Sequence, residues 1–303
     1  MFSEPSSQAV LLPERCLRKR LNTNQCTRCL DVCPSHALAL NGREIVLDET
    51  QCSGCMACVT TCPQDALACD IDLDELLYTI KTGRDVIVSC VRQTQTQPDE
   101  VVVPCVGVFS KQSLTAIAVS DCRSVTFDMQ GCSKCVNREV ATAFMADYKL
   151  VIENLLDIAS SHLVISPISE QSHNAVVDRR SYLTSFKKFI VGGTKKRLTS
   201  EPASSHHPTN NERRVPYKTK LVQNLIVDQT EDARKKILSI LGNSLSVNDN
   251  CTCCPLCKGI CPTGAIKIER SEQGKKIKFE MLDCSGCGLC VEFCKKGALS
   301  LRL

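Results

Sequence analysis

The sequence predicts a chain of mixed α/β and α+β architecture, in which two small cysteine-rich modules flank a small α/β sheet domain. Its 23 cysteines fall into three groups, at 16–69, 90–135 and 251–294, and the first and third groups look like copies of one unit. Between them, buried-strand patterns alternate with helical patterns, which is typical of an α/β sheet. We therefore expect four parts, defined here as the N-terminal module (1–69), the middle domain (70–168), a basic linker with short helices (169–245) and the C-terminal module (246–303).

The cysteine content indicates metal sites more than disulfides. The N-terminus shows neither a basic region nor an apolar region of the kind that a secretory signal needs, and no run approaches the ~18 apolar residues of a membrane span. These features predict a cytoplasmic protein in a reducing compartment, where cysteines stay available as thiolates. The formal net charge of +4 describes the polypeptide alone, and negatively charged metal clusters would change it.

Three stretches of the chain share the spacing C-x2-C-x2-C-x3-C. They begin at Cys52, Cys251 and Cys284, and they end at Cys62, Cys261 and Cys294. A fourth stretch has threonine in place of its first cysteine and consists of Thr23, Cys26, Cys29 and Cys33. In such a run, three thiolates on one tight loop hold three irons of a cube, and the fourth cysteine binds the neighbouring cluster.

With these runs, residues 20–69 and 249–303 resemble bacterial-type two-[4Fe–4S] ferredoxin domains. The resemblance implies two ferredoxin-like dicluster modules, four [4Fe–4S] clusters and an assignment of cysteines to four sites. Site 1 takes Cys26, Cys29 and Cys62, and it lacks a ligand at Thr23. The other sites are complete: site 2 with Cys33, Cys52, Cys55 and Cys58; site 3 with Cys251, Cys254, Cys257 and Cys294; site 4 with Cys261, Cys284, Cys287 and Cys290.

Cys16 is the candidate for the missing ligand of site 1. It lies ten residues before Cys26, and closing so short a loop costs little entropy. We expect Cys16 to complete the site, because a four-iron cluster needs a fourth ligand and cysteine is the usual one. The alternatives are a three-iron cluster, or an ordinary thiol near a poorly ordered terminus.

Structural zinc is the other interpretation of clustered cysteines. Zinc ribbons use two separated C-x2-C pairs, whereas these runs place three cysteines within seven residues and add a fourth. The spacing therefore favours iron–sulfur clusters.

The middle domain reads as alternating helices and strands. Helices are predicted over 72–83, 111–120 and 137–156, and strands over 85–90, 101–105, 124–129 and 162–166.

Four cysteines follow these strands and form a candidate fifth centre. Cys90 and Cys105 end two strands, and Cys132 and Cys135 follow a third. All four would lie at the carboxyl ends of strands, where ligands bind in such folds. The arrangement resembles the iron–sulfur delta subunits of hydrogenase and heterodisulfide reductase complexes. It predicts an iron–sulfur or zinc site; alternatively these are buried cysteines that act as small hydrophobes, with one redox or zinc C-x2-C pair. Cys69, Cys122 and Cys253 are left without a ligand role.

The basic linker is concentrated between Arg179 and Lys220, which contains eleven Lys or Arg residues and two acidic ones. Few large apolar residues interrupt it, so we interpret most of it as a mobile linker. Nucleic-acid binding is not expected, because the charges form neither a helical stripe nor a known motif. An amphipathic helix should follow, capped near Thr230 and ending at Leu241.

These features predict an electron-transfer protein, a subunit or adaptor that relays electrons to or from a larger anaerobic oxidoreductase. No nucleophile constellation or nucleotide fingerprint is visible. By family resemblance, the expected redox partner is a molybdopterin enzyme such as a formate dehydrogenase, a hydrogenase or a flavoprotein. Two alternatives remain: an accessory factor that matures iron–sulfur proteins, and a reductase whose catalytic site is the middle-domain cluster.

Overall fold

The N-terminal module is built from short elements joined by cysteine-bearing loops. The computed structural model describes residues 8–93, 100–155, 157–159, 162–165, 213–272 and 274–303. In this module β1 pairs with β4, and β2 with β3, both antiparallel. Asn41-Gly42, a sequence that favours tight hairpin turns, joins β2 to β3, with Gly42 in the left-handed region at φ +60°. The elements are β1 Val10–Leu11, a 3₁₀ turn Pro13–Arg15, α1 Leu17–Arg20, α2 Arg28–Asp31, β2 Leu38–Asn41, β3 Glu44–Leu47, α3 Ala57–Thr61 and β4 Leu67–Ala68.

The middle domain is the α/β sheet that the alternating pattern predicts. Its four strands are parallel in the order β6-β5-β7-β8. The chain moves from β5 to β6 on one side and then crosses to β7 on the other, so the sheet has a switch point at β5. Its elements are α4 Leu73–Thr82, β5 Asp85–Cys90, β6 Val101–Val103, a 3₁₀ turn Val106–Val108, α5 Lys111–Ala118, β7 Ser124–Phe127, a 3₁₀ turn Cys132–Lys134, α6 Arg138–Leu155 and β8 His162–Ile165.

One hydrophobic core serves both the N-terminal module and the middle domain. Met56 and Leu67 of the module belong to the same buried cluster as Val88 and Phe127 of the sheet. The closest approach is at Gly107, where a Cβ atom would lie 2.2 Å from the carbonyl oxygen of Cys55. The two predicted parts therefore pack as one unit, and only glycine fits where they meet.

Two helices within the predicted linker region (169–245) close over this core. They are α7 Tyr217–Val227 and α8 Glu231–Leu241. Thr230 caps α8 as the sequence predicts, through its side chain and the backbone N–H of Ala233. Ile226 and Ile237 are buried in the shared core. The mobile-linker interpretation does not extend to residues 213–220, which include the start of α7. Buried contacts stabilise this segment, and composition alone does not reveal such contacts. The rest of the basic stretch lies outside the described residues.

The C-terminal module has a small core of its own. Strand β9 pairs with β12, and β10 with β11, both antiparallel. Ile266 and Leu299 are buried there beside Cys257 and Cys290. The elements are β9 Ser244–Val247, α9 Leu256–Ile260, β10 Ile266–Ser271, β11 Gly274–Phe279, a 3₁₀ turn Met281–Asp283, α10 Leu289–Glu292 and β12 Leu299–Arg302.

Candidate metal centres

All four cysteine runs end in the same local turn. Three residues after the last cysteine of each run, the backbone enters the left-handed region. The four positions are His36 at φ 50°, Asp65 at 50°, Gly264 at 82° and Gly297 at 57°. Few residue types adopt this conformation easily, so its recurrence shows that the internal repeat seen in the cysteine spacing is also a repeat of backbone geometry.

Site 1 gathers four cysteines, including Cys16. The N-terminal arm pairs as β1 with β4 and then turns into α1, which places Cys16 beside the first run. The pKa of the Cys29 thiol is raised to about 12, first by burial and then by the nearby thiolates of Cys62, Cys26 and Cys16. Burial likewise raises the pKa of Cys16, with Cys62 and Cys26 adding to the effect. The arm thus places Cys16 close to Cys26, Cys29 and Cys62.

Site 2 lies directly against site 1. Burial raises the pKa of Cys58, and the next contributions come from the thiolates of its predicted partners Cys55, Cys52 and Cys33 and from Cys29 of site 1. The structure therefore brings the four predicted cysteines of site 2 together. Because Cys29 acts on Cys58 as well, the two sites are neighbours.

The C-terminal module repeats this arrangement at site 4. Burial raises the pKa of Cys290 to about 12, and the thiolates of the other three predicted ligands act in the same direction: Cys287, Cys261 and Cys284.

At site 3 the structure brings Cys251, Cys254 and Cys257 together, since burial and then the first two thiolates raise the pKa of Cys257. Cys294 packs against the same small core as Cys257. Cys254 is the exposed member of the set.

The middle site comprises Cys90, Cys105, Cys132 and Cys135 at the carboxyl edge of the sheet. Burial raises the pKa of Cys132 to about 12, and the thiolates of Cys90, Cys105 and Cys135 add to the effect. Cys90 ends β5, Cys105 follows β6, and the other two follow β7, so the site lies at the switch point of the sheet. Cys55 of site 2 also contributes to the raised pKa of Cys105, after burial and Cys90. The middle site therefore adjoins site 2.

The cysteine sets fit iron–sulfur clusters chemically. Clusters are held by thiolates, whereas burial and neighbouring thiolates raise the pKa of Cys29, Cys58, Cys132 and Cys290. A cluster whose irons bear positive charge would offset both effects, and its binding would release protons. In the described parts of the chain, no three Cys, His, Asp or Glu side chains converge on a single-ion site.

Family comparisons agree with the cysteine runs. The profile of the 4Fe-4S dicluster domain matches residues 23–66. The profile of the 4Fe-4S binding domain matches residues 277–300.

The chain carries a 4Fe–4S ferredoxin-type domain near each end. Cys16 of site 1, Cys251, Cys254 and Cys257 of site 3, and Cys261 of site 4 lie outside both matched ranges. The middle domain lies outside both ranges as well. The ligand sets of all five sites, and the resemblance of the middle domain to delta subunits, stay predictions.

One curated relative is named as a subunit of a quinone oxidoreductase. The chain is 39% identical over 57 residues to the protein named NADH-quinone oxidoreductase subunit I 2 of Geobacter metallireducens. The match covers 17% of the present chain and 44% of the relative, so the chain spans less than half of that protein. With the two ferredoxin-type domains, this likeness identifies an iron–sulfur electron-transfer protein. No helix among the described residues is long and apolar enough to cross a membrane.

Backbone N–H groups of the ferredoxin-type domains point at ligand sulfurs. Ala66 N–H donates to Cys62 Sγ over 3.2 Å, and Ala298 N–H donates to Cys294 Sγ over 3.4 Å. Each donor lies four residues after the last cysteine of its run, so the left-handed turn aims it. Such hydrogen bonds stabilise thiolate charge and help to set the potential of a bound cluster.

The two ferredoxin-type domains contact each other at sites 1 and 4. Leu17 and Leu21 of the N-terminal arm form one buried cluster with Leu289 of α10, against which Cys26 and Cys287 also pack. Polar contacts surround this apolar centre: Asn24 Nδ2 donates to Glu292 Oε2 over 2.5 Å, and Gln64 Nε2 donates to Ser285 Oγ over 2.6 Å. We call this contact the junction. Sequence reasoning missed it, because apolar residues on two four-residue helices give no periodic signal.

Proposed function

We propose that the chain is a linear relay of five one-electron centres in the order middle site, site 2, site 1, site 4 and site 3. The observation that supports the proposal is the contact between consecutive cysteine sets. Cys55 contributes to the raised pKa of Cys105, and Cys29 to that of Cys58. Cys26 and Cys287 pack on one apolar cluster, and Cys257 and Cys290 share one small core. Clusters bound at these sites would each accept and release single electrons at potentials set by hydrogen bonding, charge and exposure.

Close packing in the protein holds the sites near one another and excludes water from between them. Gly107 lets the turn after Cys105 lie against the Cys55 loop, and Thr60 Oγ1 donates to the Gly107 carbonyl over 3.1 Å. At the junction, Leu17 and Leu289 are 4% and 0% exposed, which excludes water between sites 1 and 4. At site 3, by contrast, exposed Cys254 offers an end of the relay to a partner protein.

The partner would be a larger oxidoreductase. The relative found by comparison is named as a subunit of a quinone oxidoreductase, and the present chain shares part of its sequence. We propose the same kind of role here, as a subunit or adaptor that relays electrons to or from a molybdopterin enzyme such as a formate dehydrogenase, a hydrogenase or a flavoprotein. Co-purification of the tagged full chain under anaerobic conditions would identify it.

Metal analysis of anaerobically purified full chain tests the relay. Five four-iron centres require about 20 irons and about 20 sulfides per chain, and four require about 16. Electron paramagnetic resonance during stepwise reduction should count one spin per reduced centre. About four irons per chain would contradict the relay, and one zinc with about 16 irons would restrict it to the four ferredoxin-type sites.

A further inference from the structure

Three basic side chains lie at the junction between the ferredoxin-type domains, and each is fixed by a backbone carbonyl. Arg20 Nε donates to the Ile260 carbonyl over 3.0 Å, one residue before Cys261. Arg28 Nη1 donates to the Gly286 carbonyl over 3.1 Å, inside the loop between Cys284 and Cys287. Both arginines belong to the N-terminal module and reach into site 4 of the other module.

The third basic side chain acts from the site 1 side. Lys218 of α7 donates to the carbonyl of Thr60. Burial lowers the pKa of Lys218, and the nearby Cys62 thiolate and Asp65 carboxylate oppose that effect. Arg28 is close enough to lower it as well. The ammonium therefore lies near a ligand of site 1 and near the arginine that reaches site 4.

The charges at the junction act on the sulfurs of site 4. Burial lowers the pKa of Arg20, whereas the thiolates of Cys261 and Cys287 raise it. Burial raises the pKa of Cys287, and Arg28 is among the groups that lower it. We call Arg20, Arg28 and Lys218 the junction cations.

The outer sites have a different electrostatic setting. Arg92 donates to the Ser53 carbonyl over 3.0 Å beside site 2. Burial raises the pKa of Cys90 at the middle site and Arg92 is among the groups that lower it, but this arginine is exposed to solvent. Near site 3, Lys258, Lys295 and Lys296 are exposed to solvent, which screens their charge. Charge that is fixed and partly buried therefore concentrates between sites 1 and 4.

We infer that the junction cations raise the reduction potentials of the centres at sites 1 and 4 above those of the outer centres, so that the first electrons to enter the relay reside at the junction. The inference rests on the proposed relay. Each reduction transfers one electron from an external one-electron donor to one centre, and no bond to the protein forms or breaks. The added negative charge is stabilised most where positive charge is near and poorly screened.

Redox titration of the full chain tests the inference. Reduction with dithionite and mediators, followed by electron paramagnetic resonance, should show two centres that are reduced before the others. Cys26→Ser, which removes a ligand of site 1, should abolish one of those two early signals. Loss of a late signal instead would overturn the inference.

Substitution at Arg28 then separates charge from structure. Arg28→Gln should lower the equilibrium constant for reduction of the early pair by roughly tenfold. For one electron this is a fall of about 59 mV in the reduction potential. Arg28→Lys keeps the charge and should keep most of the potential. The matched control is Lys296→Gln, which removes an exposed cation two residues from Cys294 and should leave all potentials within measurement error.

Two further outcomes separate this inference from the relay itself. Equal shifts in Arg28→Gln and Arg28→Lys, or none in either, would overturn the role of the junction cations while sixteen or more irons per chain kept the relay. If the Arg28→Gln variant failed to bind its clusters, the reduction potentials of Arg20→Gln and the titration of Cys26→Ser would test the inference in its place. A wild-type chain with about four irons would instead contradict the proposed function.

Discussion

The two ferredoxin-type domains carry the same cysteine repeat, but they are completed in different ways. The C-terminal module holds eight cysteines within its own two runs and has its own small core. The N-terminal module has threonine at position 23 instead of a cysteine, places Cys16 of its arm beside Cys29, and shares its core with the middle domain. The two copies of the repeat therefore depend on different neighbouring segments.

The comparison also shows how each module is attached. The N-terminal module is continuous with the middle domain, where Gly107 lies directly against the Cys55 loop. The C-terminal module is held through Leu289, a few polar contacts and the junction cations. We expect changes in the first attachment to affect both parts together and changes in the second to separate the modules.

The largest expected effect is the loss of a whole centre on Cys16→Ala. If the arm completes site 1, about four irons per chain should be lost, because a four-iron cluster needs its fourth ligand. Iron analysis and reduced spin counts of anaerobic protein measure this. Cys69→Ala is the control, since that half-buried thiol is assigned to no site. Equal iron contents in the two variants would show that Cys16 is not a cluster ligand.

Leu289→Ala should be the most destabilising change at the junction. This side chain is fully buried between Leu17 and Leu21, and removal of a buried leucine costs about 2–5 kcal/mol. Urea unfolding should then show the C-terminal module separating first. Leu256→Ala, at a position 37% exposed, should cost less than about 1 kcal/mol. Similar losses in both variants would mean that the junction does not hold the modules together.

Gly107→Ala should disturb the other attachment. A Cβ atom there would lie 2.2 Å from Cys55 O and 2.6 Å from Val140 Cγ1, and such overpacking costs about 1–3 kcal/mol. The N-terminal module and the middle domain should lose stability together in chemical denaturation. At Gly259 a Cβ atom would meet nothing within 4 Å, so Gly259→Ala is the matched control. A stability unchanged by Gly107→Ala would show that the two parts can move apart freely.

The smallest effect is expected at Cys253, where the C-terminal module departs from its own pattern. Cys253 has φ 50°, and the equivalent positions in two other runs are Gly54 at φ 69° and Gly286 at φ 68°. Cys253→Gly should therefore gain up to about 1 kcal/mol by relieving left-handed strain, with the iron content unchanged. Cys253→Ala keeps a Cβ atom and should gain nothing. A loss of iron in either variant would show that the Cys253 thiol is a cluster ligand.

Much of the fold could be predicted because its signals are local. Strand Asp85–Cys90 and helix Leu73–Thr82 lie where the apolar pattern predicts them. The basic stretch from Arg179 to Lys220, interpreted mostly as a mobile linker, includes the start of helix Tyr217–Val227, because basic residues such as Lys218 obscure the buried face of this helix. Its stability comes from Val222 and Ile226 in the shared core, and composition does not report such contacts.

The sequence by itself determined the cysteine runs and the α/β character of the middle domain, because spacing and periodicity act over a few residues. Only the tertiary structure decided that Cys16 lies at site 1, that the middle site adjoins site 2, and that Arg20 and Arg28 reach across to site 4. These contacts join residues as many as 258 positions apart. They depend on how whole modules pack, and no local pattern encodes that packing.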